Sequence, residues 1–369
     1  MEAISVSKKS VLIVGGYGTV GKVVSGILAQ DERILPVIAG RKGYRAEELA
    51  GTLQCSWRTI DINDRESITA ALTHIDIVIN CFSGPFTHFP LHLPEICARS
   101  SIHYMDVSGS YEYSERFLKL NDCAVNNNAT LITALGANPG IPGIALVNAA
   151  KSFEVLETGK IIFVLGAGLE GISISSLKEL KYMMDIPAVV WNSRQWVKAR
   201  LQNSKEYIGV PFEKQVYMGL SITRDLLIIP AMTGIKELSF WSGSQNTWQG
   251  LLMIIGLKWG LTKTERGASF LLNLLKSMGK HSGSDALIKI DVTGISQGRH
   301  LRQTMQLHCE ENYATALAPA IVCRQFIDGA IARPGAFVPP EIVPADDFMN
   351  RLKSYSVNYS ETIESVTEN

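Results

Sequence analysis

The chain opens on a short unbroken apolar run. Val11, Leu12, Ile13 and Val14 follow one another with no polar residue between them. Such a run predicts a strand buried on both faces, as in a parallel sheet. Glycines follow, and then Val23, Val24, Ile27 and Leu28 recur at helical spacing. The same alternation continues. Apolar strand patterns lie over 34–39, 57–62, the start of 76–86, 102–110 and the start of 129–143. Helical patterns lie over 46–53, 64–72, 91–99 and 114–128, with Asp61 or Asp64 placed to cap the second of these. Strand and helix in repeated succession predict an α/β fold, a Rossmann doubly wound parallel sheet.

After Gly143 the pattern changes. A strand is predicted over 161–164, a helix over 173–184 and a strand over 235–240. Over 286–310, Ile288, Ile290 and Val292 alternate with Lys289, Asp291 and Thr293. Gln297-Gly298 then turns the chain, and Leu301, Met305 and Leu307 lie on the return arm. This predicts an inserted second α+β domain with a mixed or antiparallel sheet, suited to substrate binding or dimerisation. A long apolar helix from Tyr313 runs to Arg333-Pro334-Gly335, a short helix follows over 346–354, and the tail from 360 reads as frayed. The domains are therefore expected at 1–143 with 313–369, and at 144–312. Five of the six tryptophans (191, 196, 241, 248 and 259) fall in the second domain, where core or subunit contact is the expected role.

Composition narrows the function. Lys+Arg and Asp+Glu both number 35, so the formal net charge is zero and no overall electrostatic case exists for nucleic acid or an anionic membrane. The most apolar stretch, 251–261, is interrupted by Lys258 and two glycines. It falls short of the roughly 18 apolar residues of a membrane span and reads as a buried or interfacial helix. The first ten residues do not read as a signal peptide, and the six cysteines show no paired or metal spacing, so a reduced, cytoplasmic protein is expected. His88 and His92 stand four apart with Pro90 between them, and no metal site is expected there.

The chemistry-bearing motif lies directly behind the first strand. Gly16, Tyr17, Gly18, Thr19, Val20 and Gly21 give G-x-G-x-x-G between a strand and a helix, the context in which this pattern binds a dinucleotide. The first glycine permits the tight turn, the second lets a pyrophosphate approach the backbone, and the third lets helix and strand pack closely. The helix N-terminus then faces the phosphates. About twenty residues on, an NAD site commonly carries an acid for the ribose 2′-hydroxyl. Here the chain reads Gly40-Arg41-Lys42, which attracts a 2′-phosphate instead. NADP(H) is expected over NAD(H). Ligands in such sheets lie beyond the carboxyl ends of the strands. Asp61 and Ile62, the turn Cys81-Phe82-Ser83-Gly84-Pro85, Asp106 and the turn holding Asn138 and Pro139 are the further candidates.

GGYGTVG, AGR at 39–41, DIVINCFSGPF, HYMDVSG, GANPGIPG and RPGAFVPPE together resemble the saccharopine dehydrogenase/reductase-like oxidoreductases, a family that includes carboxynorspermidine dehydrogenase. The resemblance implies an NADP-binding domain, an inserted mixed-sheet domain and homodimers formed through the latter. It places the glycine loop at Gly16, Gly18 and Gly21, the 2′-phosphate contact at Arg41, the nicotinamide-side turn at Ser83, Gly84 and Pro85, and a substrate-facing carboxylate at Asp106. No substrate-binding arginine is singled out among Arg194, Arg200 and Arg224. The expected function is NADPH-dependent hydride transfer at a C–N centre of a small amino-acid-like molecule. Asp106, or His88 in the loop after the fourth strand, would handle the proton. Reduction of C=C or C=O bonds and a non-catalytic NADP(H)-sensing module are the alternatives.

Overall fold

The structure is a computed structural model and describes residues 8–82, 89–166, 174–199, 203–208, 214–278 and 285–366. In chain order the first half contains β1 (Lys9–Val14), α1 (Thr19–Leu28), β2 (Ile34–Gly40), α2 (Gly43–Leu53), β3 (Ser56–Thr59), α3 (Arg65–Ala71), β4 (Ile77–Asn80), α4 (His92–Arg99), β5 (His103–Asp106), α5 (Tyr111–Phe117), α6 (Asn121–Asn126), β6 (Thr130–Ile132), α7 (Ile141–Ala150), β7 (Val155–Leu165) and α8 (Ile174–Asp185). The second half contains β8 (Val189–Asn192), β9 (Gln195–Lys198), β10 (Asn203–Ile208), β11 (Lys214–Ser221), α9 (Ile229–Thr233), β12 (Glu237–Ser244), α10 (Thr247–Lys258), α11 (Glu265–Met278), β13 (Asp285–Ser296), β14 (Arg299–Glu310), α12 (Glu311–Ile327), β15 (Gly335–Phe337), α13 (Pro339–Ile342), α14 (Ala345–Lys353) and β16 (Asn358–Ser365).

The chain divides into two compact units. The first comprises Met1–Ser108, Glu112–Ala137 and Asn312–Pro344, and the second Gly109–Tyr111, Asn138–Glu311 and Ala345–Asn369. The C-terminal segment from Ala345 thus clusters with the second unit.

The first unit is a parallel sheet in the order β15-β6-β5-β4-β1-β2-β3. Strand β1 lies between β2 and β4, so the winding of the chain reverses there, the place where such sheets bind ligands. The run Val11–Val14 is buried throughout because helices cover both faces of a parallel sheet. One core cluster joins Leu12, Val14, Val37, Val78, Tyr104 and Leu131 of the strands with Ile68, Leu93 and Phe117 of the helices.

The second unit holds a mixed sheet in the order β10-β11-β12-β7-β13-β14-β16, with β8 and β9 attached beside β12. β12 and β7 run parallel, and β13 pairs antiparallel with both β7 and β14. The β13–β14 hairpin turns at Gln297 (φ 50°) and Gly298 (φ 70°), the two positive φ values of a type I′ turn. Ile288, Ile290 and Val292 are buried, as their alternation predicts, and Leu287 is buried as well.

Four expectations are corrected. The helix expected over 114–128 is broken by a 3-10 turn at Leu118–Leu120. The helix from Tyr313 stops at Ile327 rather than Arg333, because Gly329 (φ 72°) takes the left-handed conformation and the N–H of Ala330 closes back onto the Gln325 carbonyl. The tail is ordered as β16, paired antiparallel with β14 from Asn358 to Ser365. Trp248 and Trp259 are 74% and 80% exposed, so neither is core. A hairpin that the sequence pattern did not show, β8–β9, turns at Ser193 (φ 50°) and Arg194 (φ 63°).

Candidate functional site

The glycine turn bears out the local geometry with one shift. The left-handed residue is Gly15 (φ 72°), one position before the motif as read from the sequence. A side chain on Gly16 would lie 2.8 Å from the Ile13 carbonyl, and one on Gly21 would overlap the Gly15 carbonyl oxygen. Gly15 and Gly16 both donate to the Ala39 carbonyl at 2.8 and 3.1 Å, pinning the turn to the end of β2. Gly18 is the N-cap of α1 and supplies no side-chain cap. The first intrahelical bond runs from Lys22 N–H to Gly18, so the N–H groups of Thr19, Val20 and Gly21 precede the helical ladder. Gly18 and Thr19 are exposed. Bare backbone, unladdered donors and the positive end of a helix dipole fit a pyrophosphate.

Tyr17 ties this turn to the basic segment after β2. Its hydroxyl accepts from the Lys42 N–H at 3.0 Å, and its ring lies where a Gly40 side chain would be. Gly40 is therefore bare for the sake of Tyr17, a role that its place beside Arg41 did not reveal. Arg41 and Lys42 are both exposed, and no acid occupies the end of β2. This surface suits a phosphate on the ribose. Asp61 lies after β3, where its Oδ1 accepts from the Asn63 N–H (3.0 Å) and Nδ2 (3.2 Å). Asp64 is the residue that caps α3, accepting from Glu66. Ile62 is buried.

After β4, Cys81 is buried, and burial pushes its thiol up to about 12, so it stays a thiol at neutral pH. Buried Asn80, which sequence reading passed over as the polar end of an apolar run, organises this turn. Its Oδ1 accepts from the Phe82 N–H (3.2 Å) and its Nδ2 donates to the Tyr104 hydroxyl (3.1 Å). Ser83, Gly84, Pro85 and His88 lie outside the described residues.

Asp106 ends β5 beside Asn80 in the sheet register. It is fully buried, which the expectation of a substrate-facing carboxylate did not anticipate. Its Oδ1 accepts from Thr133 Oγ1 (2.8 Å), Ser108 N–H (3.0 Å) and Ala134 N–H (3.4 Å), while Oδ2 has no hydrogen-bond partner. Burial pushes the carboxyl up to about 6, and the Ser108 and Thr133 donors pull against it. The Tyr104 and Tyr113 hydroxyls lie 3.5 Å apart in the same buried region, both raised well above their ordinary range chiefly by burial. Tyr104 was legible in principle, since it is two residues from Asp106 on one strand and faces the same side.

In the second unit, the turn holding Asn138 and Pro139 leads into Gly140 (φ 118°), the N-cap of α7. The Gly140 N–H donates to Asp225 Oδ2 at 3.1 Å. Asp225 is fully buried, with its Oδ1 unpartnered, and burial pushes it up to about 6. Asn138 Oδ1 is also buried without a partner. Nothing in the sequence around Thr223-Arg224-Asp225 points to this carboxylate. Arg194 is exposed in the β8–β9 turn, Arg224 opens a 3-10 turn, and Arg200 lies outside the described residues.

The fold and this cradle define a Rossmann-type dinucleotide-binding domain. Residues 11–132 match the family described as the saccharopine dehydrogenase NADP binding domain. The apo saccharopine dehydrogenase (L-Glu forming) of Saccharomyces cerevisiae superposes with a TM-score of 0.70 at 16% identity, covering 96% of this chain and all of that one. Over 186 residues the chain is 26% identical to a Mycobacterium tuberculosis protein named as a trans-acting enoyl reductase, covering 46% of this chain and 43% of the relative. The match thus spans less than half the length of that relative. Residues 11–132 thus match an NADP-binding domain, and the fold of the whole chain is that of the saccharopine dehydrogenase structure.

Proposed function

We propose that the protein reduces a C–N centre, the carbon of an imine formed from a carbonyl compound and an amine, in a small amino-acid-like substrate. The observation that carries this is the buried Asp106, with one free carboxylate oxygen, in the same domain as a glycine cradle flanked by Arg41 and Lys42. The whole-length likeness in fold to an enzyme named for forming L-glutamate supports an amino-acid-like substrate.

In this reading Gly15, Gly16, Gly18 and the N–H groups of Thr19, Val20 and Gly21 hold the pyrophosphate. Arg41 and Lys42 take the 2′-phosphate, and Asp61, Ile62, Cys81 and Phe82 border the cofactor. NADPH, when bound, supplies the hydride. Asp106 holds a proton at Oδ2 and gives it to the substrate. The protein acts as a homodimer.

The test is a panel of imine-forming carbonyl–amine pairs set against enones and ketones, followed by NADPH absorbance. Oxidation with the pairs alone supports the C–N reading. Oxidation with enones alone replaces it by C=C reduction, which the relative's name favours. For the productive substrate, kcat/KM should fall as pH rises through about 6, where Asp106 loses its proton. Asp106→Asn should lose that limb and at least about tenfold in kcat. Unchanged turnover in this variant would remove Asp106 from the chemistry.

A further inference from the structure

A helix that is apolar around its whole circumference is ordinarily buried on every side. α10 is apolar all round, yet only one side of it is covered. Leu257 packs with Leu271, Leu275 and Leu177 in one cluster, and Gly256 is bare where the Leu271 side chain presses against it. Gln249 is buried, and its Nε2 donates to the Leu275 carbonyl at 2.9 Å. These contacts fix α10 against α11 as a hairpin in the second unit.

The opposite arc is open. Trp248, Leu251 and Ile254 are exposed along α10, and Trp259 stands exposed at its C-terminal end. On α11, Phe270 (61% exposed), Leu274 and Met278 follow at four-residue intervals, one stripe of the helix. Seven large apolar side chains on two adjoining helices far exceed the scattered exposed residues of an ordinary surface.

The charges select the occupant. Over 247–278 the basic residues are Lys258, Lys263, Arg266 and Lys276, and the acid is Glu265 alone, four positive against one negative, or +3 in a chain of formal net charge zero. Lys258, Lys263 and Arg266 are exposed, and Arg266 lies one turn before Phe270 on the same stripe. A two-fold contact with a second copy would set this cationic patch against its own like. Anionic headgroups complement it instead, and tryptophan favours the boundary between headgroup and acyl chain. α10 has 12 residues, too few at about 1.5 Å each to cross a hydrocarbon core of about 30 Å. No described helix is long and apolar enough to cross a membrane.

We propose that the α10–α11 hairpin is a peripheral docking surface for an anionic lipid membrane. Trp248, Trp259 and Phe270 enter the interface while Lys258, Lys263 and Arg266 lie over the headgroups.

The full chain is tested by co-sedimentation with vesicles of phosphatidylcholine alone and with phosphatidylglycerol added, alongside light scattering and NADPH titration. Binding should be at least about tenfold tighter to the anionic vesicles and weaken with salt. Tryptophan emission should shift to the blue on binding. Trp248→Ser with Phe270→Ser should bind neither vesicle, and Lys258→Glu with Arg266→Glu should lose the preference for phosphatidylglycerol. All variants should bind NADPH as the wild type does, which shows that they fold. Failure of the wild type to bind either vesicle overturns the proposal. So does undiminished binding by the serine variant, or its conversion of a larger assembly to a smaller one, which would make this face a subunit contact.

Discussion

Gly21 carries the tightest demand in the cofactor domain, because any side chain there would overlap the Gly15 carbonyl oxygen. Helix α1 also holds its own control. A side chain on Gly26 would meet nothing within 4 Å. Gly21→Ala should cost about 1–3 kcal/mol of stability and weaken NADPH binding at least about tenfold, since the shifted turn holds the N–H groups proposed to bind the phosphates. Gly26→Ala should leave binding unchanged and be neutral or stabilising by up to about 1 kcal/mol, the gain of replacing a mid-helix glycine. Thermal melts and fluorescence titration of the pair separate the loss of a close approach from a general effect on α1. Gly15 shows the limit of reading one residue from sequence. A side chain there would lie 3.3 Å from the Cys81–Phe82 backbone, which follows a strand distant in sequence.

Between elements, one charged network ties the turn after α1 to the end of α12. Arg33 donates to Asp31 and to Asp328, and Arg324 also donates to Asp31. The Arg33 hydrogen bonds, acting against partial burial, hold the Asp31 carboxyl down at about 2. A depressed acid stabilises the fold above its unfolded value near 4 and loses that contribution as pH falls toward 2. Asp31→Asn should therefore be less stable by about 1–2 kcal/mol at pH 7, with the difference shrinking between pH 4 and 2. Urea melts across that range measure it, and a constant gap would show that charge is not the cause. This network was invisible in sequence because Asp31 and Arg324 lie 293 residues apart. The strands and helices of the first domain were legible because each carries a local period: the apolar run at 11–14, and the helical spacing of Val24 and Leu28. Their ends were less so. Gly329 stops α12 through a φ value and not through its place in a pattern, and β16 exists only because β14 offers it an edge. The glycine cradle and Arg41 were legible as a motif. The settings of Asp106 and Asp225 were not, since burial and partners such as Thr133 and Gly140 arrive from other segments.

Taken over the whole molecule, two averages conceal what the surface does. Net charge of zero hides the local +3 of the α10–α11 hairpin, and overall apolar content does not say which tryptophans are covered. The central claim is that the bare turn at 15–21 grips a diphosphate and that Arg41 at the end of β2 selects the extra phosphate. Calorimetric titration of the wild type and Arg41→Ala with NADPH and NADH tests it most directly. The account predicts NADPH binding at least about tenfold tighter than NADH, and a variant that loses most of that preference while keeping its affinity for NADH. Equal affinity of the wild type for the two nucleotides, or binding of neither, would contradict it.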